Sequence, residues 1–243
     1  MGLLENYRDR IAELLDRLVA TQGPAMAKAA DWVAESWAAD GLVYVTGSGH
    51  SHLIAAEVFY RAGGPAPVQA IFDPALMLHQ GAQKSSMLER VEGYAETVLR
   101  SFPLGARDVL FIVSNSGRNA FPIEAALYAK ARGTKTVAIT SLDAAGRAPS
   151  RHSSGRLLHQ IADLPIDNQV LSGDAALPLA ARKARMGPTS TIAGAFIANA
   201  IMAEAVEALA AKGIAVDVYQ SANVEGSNTE DIVERWRGRI KGL

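Results

Sequence analysis

Hydrophobic and polar positions along the chain follow two alternating periods. Short apolar or β-branched runs occupy residues 42–46 (LVYVT), 68–72 (VQAIF), 108–113 (DVLFIV) and 135–140 (KTVAIT), with a weaker one at 163–166 (DLPI). Their length and their flanking Gly, Pro, Asp and Asn residues predict buried strands. Between them the period lengthens to that of a helix. Leu3, Leu4, Tyr7, Ile11, Leu14, Leu15 and Leu18 recur at helical spacing and predict an amphipathic helix over 3–21. Gly23-Pro24 predicts a break, with Pro24 in the first turn of a second helix over 24–39. Further helices are predicted at 50–62, at 88–102 (ended by Pro103-Leu104-Gly105), at 120–132 and, rich in Ala, at 189–211. Residues 73–87 read as an irregular or partly helical connection and 143–161 as a polar, basic, flexible one. The tail, 217–243, has turn residues at Asn223, Gly226 and Asn228 and ends in a charged helix.

Strands that alternate with helices need crossover connections, so the sheet is expected to be parallel and covered on both faces. With 243 residues, 49% of them hydrophobic, the chain can bury a core large enough for a single domain spanning 1–243. The N-terminal helices, about 3–39, carry an apolar stripe that either this domain or a second subunit must cover. The pattern leaves that choice open.

Charge and composition narrow the function. A net charge of −1 does not supply the basic surface that nucleic-acid binding needs. The absence of cysteine removes disulfides and thiolate chemistry. The N-terminus is amphipathic rather than a leader, and the longest near-apolar run, 192–203, is short for a membrane span and contains Asn199. The expectation is a cytoplasmic globular protein with neither a membrane nor a nucleic-acid partner.

Two loops carry the candidate chemistry. The strand at 42–46 runs into Gly47-Ser48-Gly49-His50-Ser51, and the strand at 108–113 into Ser114-Asn115-Ser116-Gly117-Arg118-Asn119, each followed by a helix. A glycine turn at a helix N-terminus leaves unpaired N–H groups and a positive dipole end, which together attract an anion. In an open parallel sheet both loops lie at the carboxyl edge, where ligands bind. Ser48, Ser51, Ser114, Ser116 and Asn119 offer small donors without a lysine, which suits a phosphate monoester held without metal. A dinucleotide fingerprint lacks its third glycine, since His52 stands there, and the Gly-Lys-Ser/Thr of a P-loop is absent.

The pair GSGHS and SNSGRN, in this order and setting, resembles the sugar isomerase (SIS) domain over about residues 30–212. The runs HSHLIAAEVFYRAGG, GAQKSSMLERVEGYAE, SNSGRN, HSSGR and GPTST resemble, more specifically, a bacterial SIS-domain family related to phosphoheptose isomerase. The resemblance implies an α/β three-layer sandwich with a five-stranded parallel sheet in flavodoxin-like order. It also implies phosphosugar ligands and assembly into homodimers or homotetramers. By the same likeness the loop after the third strand, with Ser114, Asn115, Ser116, Gly117 and Asn119, binds phosphate, and Ser48, Gly49, His50 and Ser51 border the sugar.

Aldose–ketose interconversion needs a base to move a proton between adjacent carbons, and groups that open the ring and steady the enediolate. Glu57, among Ala55, Ala56, Val58 and Phe59, is the leading base, in line with a similar Ala-Ala-Glu in phosphoheptose isomerase. The alternative for Glu57 is an i, i+4 pair with Arg61 on a solvated face. The late-helix histidine of that family has no counterpart, because no histidine follows Ile161. His79 is the substitute for ring opening. Glu89 is the second carboxylate candidate, by likeness of its segment to one in glucosamine-6-phosphate synthase. Ser190, within Thr189-Ser190-Thr191, either caps the late helix or faces the ligand. His50 and His52 diverge too far for a zinc site. The cluster Arg182, Lys183 and Arg185 either is solvated or steers an anion, whereas Arg90, Glu92 and the C-terminal arginines read as surface. The function expected is a metal-independent phosphosugar isomerase without a cofactor. The alternatives are a phosphosugar-binding regulatory module without turnover and a lyase or deaminase acting on an amino-sugar phosphate.

Overall fold

One unbroken helix of 36 residues, α1 (Leu3–Ala38), opens the structure, with Pro24 inside it. The expected break at Gly23-Pro24 does not occur. The apolar stripe keeps its register across the proline, with Leu14 and Leu18 buried before it and Met26, Ala29, Ala30, Val33 and Trp37 after it. Packing of that stripe outweighs the lost hydrogen bond, while the proline itself faces solvent. The computed structural model describes residues 2–180 and 183–243.

The chain continues as β1 (Val43–Gly47), a 3-10 turn (Gly49–Ser51), α2 (His52–Val58) and β2 (Val68–Ala70). A second 3-10 turn (Leu78–Gln80), α3 (Ala82–Leu88) and α4 (Tyr94–Leu99) lead to β3 (Val109–Val113) and α5 (Ala120–Lys130). Then come β4 (Lys135–Thr140), the single turns α6 (Leu142–Ala145) and α7 (Leu158–Ile161), and β5 (Leu164–Asp167). A small hairpin of β6 (Leu177–Pro178) and β7 (Arg185–Met186) precedes α8 (Ser190–Ala210) and α9 (Thr229–Trp236).

Two predicted helices come out shorter. The one over 88–102 is replaced by α3 and α4, parted by Gly93 at φ 85°. The one over 50–62 stops at Val58, where Phe59 turns extended to meet Phe72 and Tyr60, at φ 46°, meets Tyr219, each edge to face. The hairpin carries no period-2 run that would mark it in the sequence.

The five long strands form one parallel sheet in the order β2-β1-β3-β4-β5. Alternate strand side chains serve opposite layers. Val43, Val45, Val109, Phe111, Val137 and Ile139 pack with α1, α2 and α8 on one face. Tyr44, Leu110, Ile112 and Ala138 pack with α4, α5 and α7 on the other. The N-terminal helix is thus covered by its own chain, chiefly by α8. By length and composition α8 is apolar enough to cross a membrane, and in the fold its apolar residues are packed against α1 and α2.

The tail folds back over the β2 edge, where Gln69 Oε1 accepts from Lys241 N at 2.6 Å. Asp217 anchors α9, accepting from Arg235 Nη2 at 2.7 Å and Trp236 Nε1 at 2.9 Å. The hydrogen bond from Arg235, then that from Trp236, holds the Asp217 pKa below the usual carboxylate value against its partial burial. A depressed carboxylate pKa stabilises the fold above the unfolded value, near pH 3.9, and that stability is lost as pH falls through the folded value. Asp217→Asn is therefore expected to cost about 1 kcal/mol at pH 7, and the difference from wild type should shrink as pH falls below the unfolded value and through the lower folded one. Thermal melts across that range check it.

Candidate functional site at the carboxyl edge of the sheet

The sheet reverses its winding between β1 and β3, and the loops that leave these two strands meet there. Both depend on a glycine. A Cβ on Gly47 would lie 2.7 Å from the backbone of Ser51, so only glycine lets the first turn close. Gly117 has φ 59°, and a Cβ there would meet Thr140 Oγ1 at 2.9 Å and Leu158 Cβ at 3.3 Å. In the second loop, Gly117 N–H donates to Ser114 Oγ at 3.2 Å. The N–H groups of Asn115, Ser116, Arg118, Asn119 and Ala120 have no acceptor among the described residues. Open donors ahead of α5 make this loop the stronger anion cradle of the two.

The loops have two flanks. On the first, His50, Ser51 and Ile54 face Val113, Asn115 and Asn168, with Ser190 and Thr191 closing the end. The cleft they line holds about 10 Å³, the lower limit for one water, so a sugar must lie across the loops or part them. Asn168 Nδ2 donates to Asn115 Oδ1 at 2.9 Å and so fixes the side chain at the cleft wall.

On the second flank, the Glu89 carboxylate joins the two loops. Its Oε2 accepts from Ser48 Oγ and its Oε1 from Asn119 Nδ2, each at 2.7 Å. Ser48 and Asn119 are both buried. Glu89 is carried there by the end of α3, and its own carbonyl accepts from Phe121 N–H at 3.0 Å. Asn119 Oδ1 in turn accepts from Arg151 Nη1 at 3.0 Å. Arg151 belongs to the connection read as flexible, which the structure pins at several points. Arg151 N–H donates to Arg118 O at 2.8 Å, Ser153 Oγ to Glu92 Oε2 at 2.7 Å, and Arg118 Nε to Pro149 O at 3.0 Å.

The remaining candidates lie apart from this centre. Glu57 accepts from Asn199 Nδ2 at 3.1 Å and pairs with Arg61 at 3.3 Å, the arrangement of the solvated alternative, and it does not line the cleft. His79 is exposed and stands edge to face with His52, their ring centroids 6.1 Å apart. His52 is buried with Nδ1 against Gly49 O, while His50 is exposed. At the start of α8 an aspartate already holds the anion position. Asp174 accepts from the N–H groups of Thr189 and Ser190 at 2.8 and 3.0 Å and from Ser190 Oγ at 2.5 Å. Lys183 and Arg185 are exposed, and Arg182 lies outside the described residues.

Asn168 and Arg151 belong to the candidate site and carry no local sequence signal; Arg151 stands beside the HSSGR run, whereas Thr191 lies within the Thr189-Ser190-Thr191 stretch that the sequence marks.

A doubly wound sheet with hydroxyl-rich loops at its switch point defines a ligand-binding α/β class. A model described as the SIS domain matches residues 6–141, more than half of the chain, and the chain belongs to the SIS-domain family. Full-length similarity is narrower. A UPF0309 protein of Geobacillus thermodenitrificans (strain NG80-2) is 42% identical over 243 residues, which cover 99% of this chain and 98% of that one. A UPF0309 protein of Listeria monocytogenes serotype 4b (strain F2365) is 38% identical over 240 residues, or 98% and 97% of the two chains. Among solved structures, a phosphoheptose isomerase from Francisella tularensis shares the fold with a TM-score of 0.55 at 16% identity, over 84% of this chain and 96% of that one. The sugar isomerase domain of an RpiR transcription factor from Sphaerobacter thermophilus does so at 0.51 and 16%, over 86% and 92%.

Proposed function

We propose that this protein is a metal-independent phosphosugar isomerase that works through an enediolate. The observation that supports it most is the Glu89 carboxylate, hydrogen-bonded at 2.7 Å to one side chain from each loop. A substrate whose phosphate occupies the open N–H groups of residues 115, 116 and 118–120 extends its sugar between the loops, within reach of that carboxylate. Glu89 then takes the proton from the carbon next to the carbonyl and returns it to the neighbouring carbon. Ser48 and Asn119 hold its two oxygens in place. His50 and Ser51 face the sugar from the cleft and are the candidates to donate to its ring oxygen or hydroxyls. Glu57, engaged by Arg61 and Asn199, keeps a packing role in this reading.

Assembly into a homodimer or homotetramer is part of the reading, supported by the exposed Leu53 on α2 and the exposed Tyr60 just after it. Light scattering on the purified protein measures it.

The decisive experiment is proton exchange. Aldose and ketose phosphates incubated with the protein in deuterated water should take up label and interconvert. Glu57→Gln is expected to keep exchange within about twofold of wild type, since that side chain serves a surface pair. Tight phosphosugar binding without label would overturn the isomerase in favour of a sensor, and release of ammonia or lactate would overturn it in favour of a deaminase or lyase.

A further inference from the structure

The second flank of the site holds more positive charge than the fold uses. Arg90 follows Glu89, Arg118 sits in the phosphate loop, and Arg151 reaches Asn119 from the pinned connection. None of the three has a carboxylate within 4.0 Å among the described residues, whereas Arg61, Arg100, Arg147 and Arg235 are each ion-paired. Burial, then the like charges of Arg118 and Arg90, lower the Arg151 pKa below its ordinary value, with Glu89 the opposing influence. Bringing like charges together costs free energy. Here backbone and side-chain bonds hold the segments that carry them: Arg151 N–H to Arg118 O, Arg118 Nε to Pro149 O, and Ser153 to Glu92.

We propose that Arg90, Arg118 and Arg151 neutralise the phosphate of the bound phosphosugar, so that the phosphate is recognised by guanidinium charge as well as by the loop's hydroxyl and N–H groups. The inference rests on the phosphosugar reading of the site and assigns three binding residues to it. Arg151 is suited to the task because Asn119 already orients its guanidinium and leaves its other donors open. The arrangement favours phosphorylated over uncharged sugars, because only the former bring the charge that the three guanidiniums attract.

Titration with inorganic phosphate at constant ionic strength tests the proposal without assuming any turnover. Arg151→Ala is expected to weaken phosphate binding roughly tenfold, the size of one charge-assisted hydrogen bond, and Arg151→Lys to recover most of it. Arg90→Ala is the sharper probe. The Arg90 side chain has no hydrogen-bond partner among the described residues, so its removal leaves the packing intact. Its loss should weaken phosphate several-fold, and less so at high salt. Phosphosugar affinity should fall in parallel, with unphosphorylated sugars unaffected. Unchanged phosphate and phosphosugar affinity in Arg90→Ala and Arg118→Ala overturns the charge role and leaves the phosphosugar reading standing. Failure of the wild-type protein to bind either phosphate or any phosphosugar overturns both.

Discussion

Glu89→Gln is expected to lower proton exchange on the substrate by about 10²- to 10⁴-fold, the usual contribution of a general base, while phosphosugar affinity changes little. The amide is nearly isosteric with the carboxylate. Its oxygen can keep the hydrogen bond from Asn119 Nδ2, and its NH₂ can donate to Ser48 Oγ once that hydroxyl turns to accept. Both loops then stay where they are, and only the proton acceptor is gone. The effect therefore belongs in kcat, with KM nearly constant. Glu89→Ala behaves differently. It leaves the buried Ser48 hydroxyl and the Asn119 Nδ2 without their acceptor, so it should lose stability and affinity together with turnover. Full exchange in Glu89→Gln sinks the assignment of the base.

In the proposed function the phosphate end and the proton-transfer end of the site share one residue. Asn119 binds Glu89 with its Nδ2 and Arg151 with its Oδ1, and it immediately precedes α5. Its amide therefore couples the charge at the cradle to the orientation of the carboxylate. In Asn119→Ala, the Glu89 oxygen and the Arg151 guanidinium would both lose their fixed direction.

The sheet could be read from the sequence because its strands are buried on both faces and so appear as continuous apolar runs, as in VYVTG and VLFIV. The two glycine loops were legible for a similar local reason, since Gly47 and Gly117 mark close approaches that no other residue permits. What escaped depends on distant contacts. Gly23-Pro24 reads as a break with Pro24 starting a second helix, and only the packing of Met26 to Trp37 on α8 shows that one helix runs through. Glu57 and Glu89 both sit on helices near a loop, and their sequence neighbours favour Glu57. The proposed function favours Glu89 because its carboxylate bonds a side chain of each loop, a contact that no sequence period marks. Arg151 lies in a polar stretch whose order comes from Glu92, Arg118 and Asn119, none of them nearby in sequence. No periodicity marks such a segment.

Leu18→Ala is expected to destabilise the protein by about 3 kcal/mol, within the range for removing a fully buried leucine. Leu18 is wholly buried, and it packs in the cluster shared by α1, α8 and the sheet. For a chain of this length the loss corresponds to a fall in Tm of roughly 6–12 °C. Two features separate this from the alternative in which a second subunit covers the stripe. The loss should be the same at low and high protein concentration, because the contact lies within one chain. Leu4→Ala, at a position 80% exposed on the same helix, should fall within about 0.5 kcal/mol of wild type. A Leu18→Ala penalty that shrinks as protein concentration rises would place the covering surface on a partner. Because α1 also reaches the end of β5, where Gln22 Oε1 accepts from Asp167 N–H at 3.0 Å, loosening it should disturb Asn168 and hence the wall of the cleft. Leu18→Ala is thus expected to weaken phosphosugar binding by a few-fold even though no atom of Leu18 lines the site.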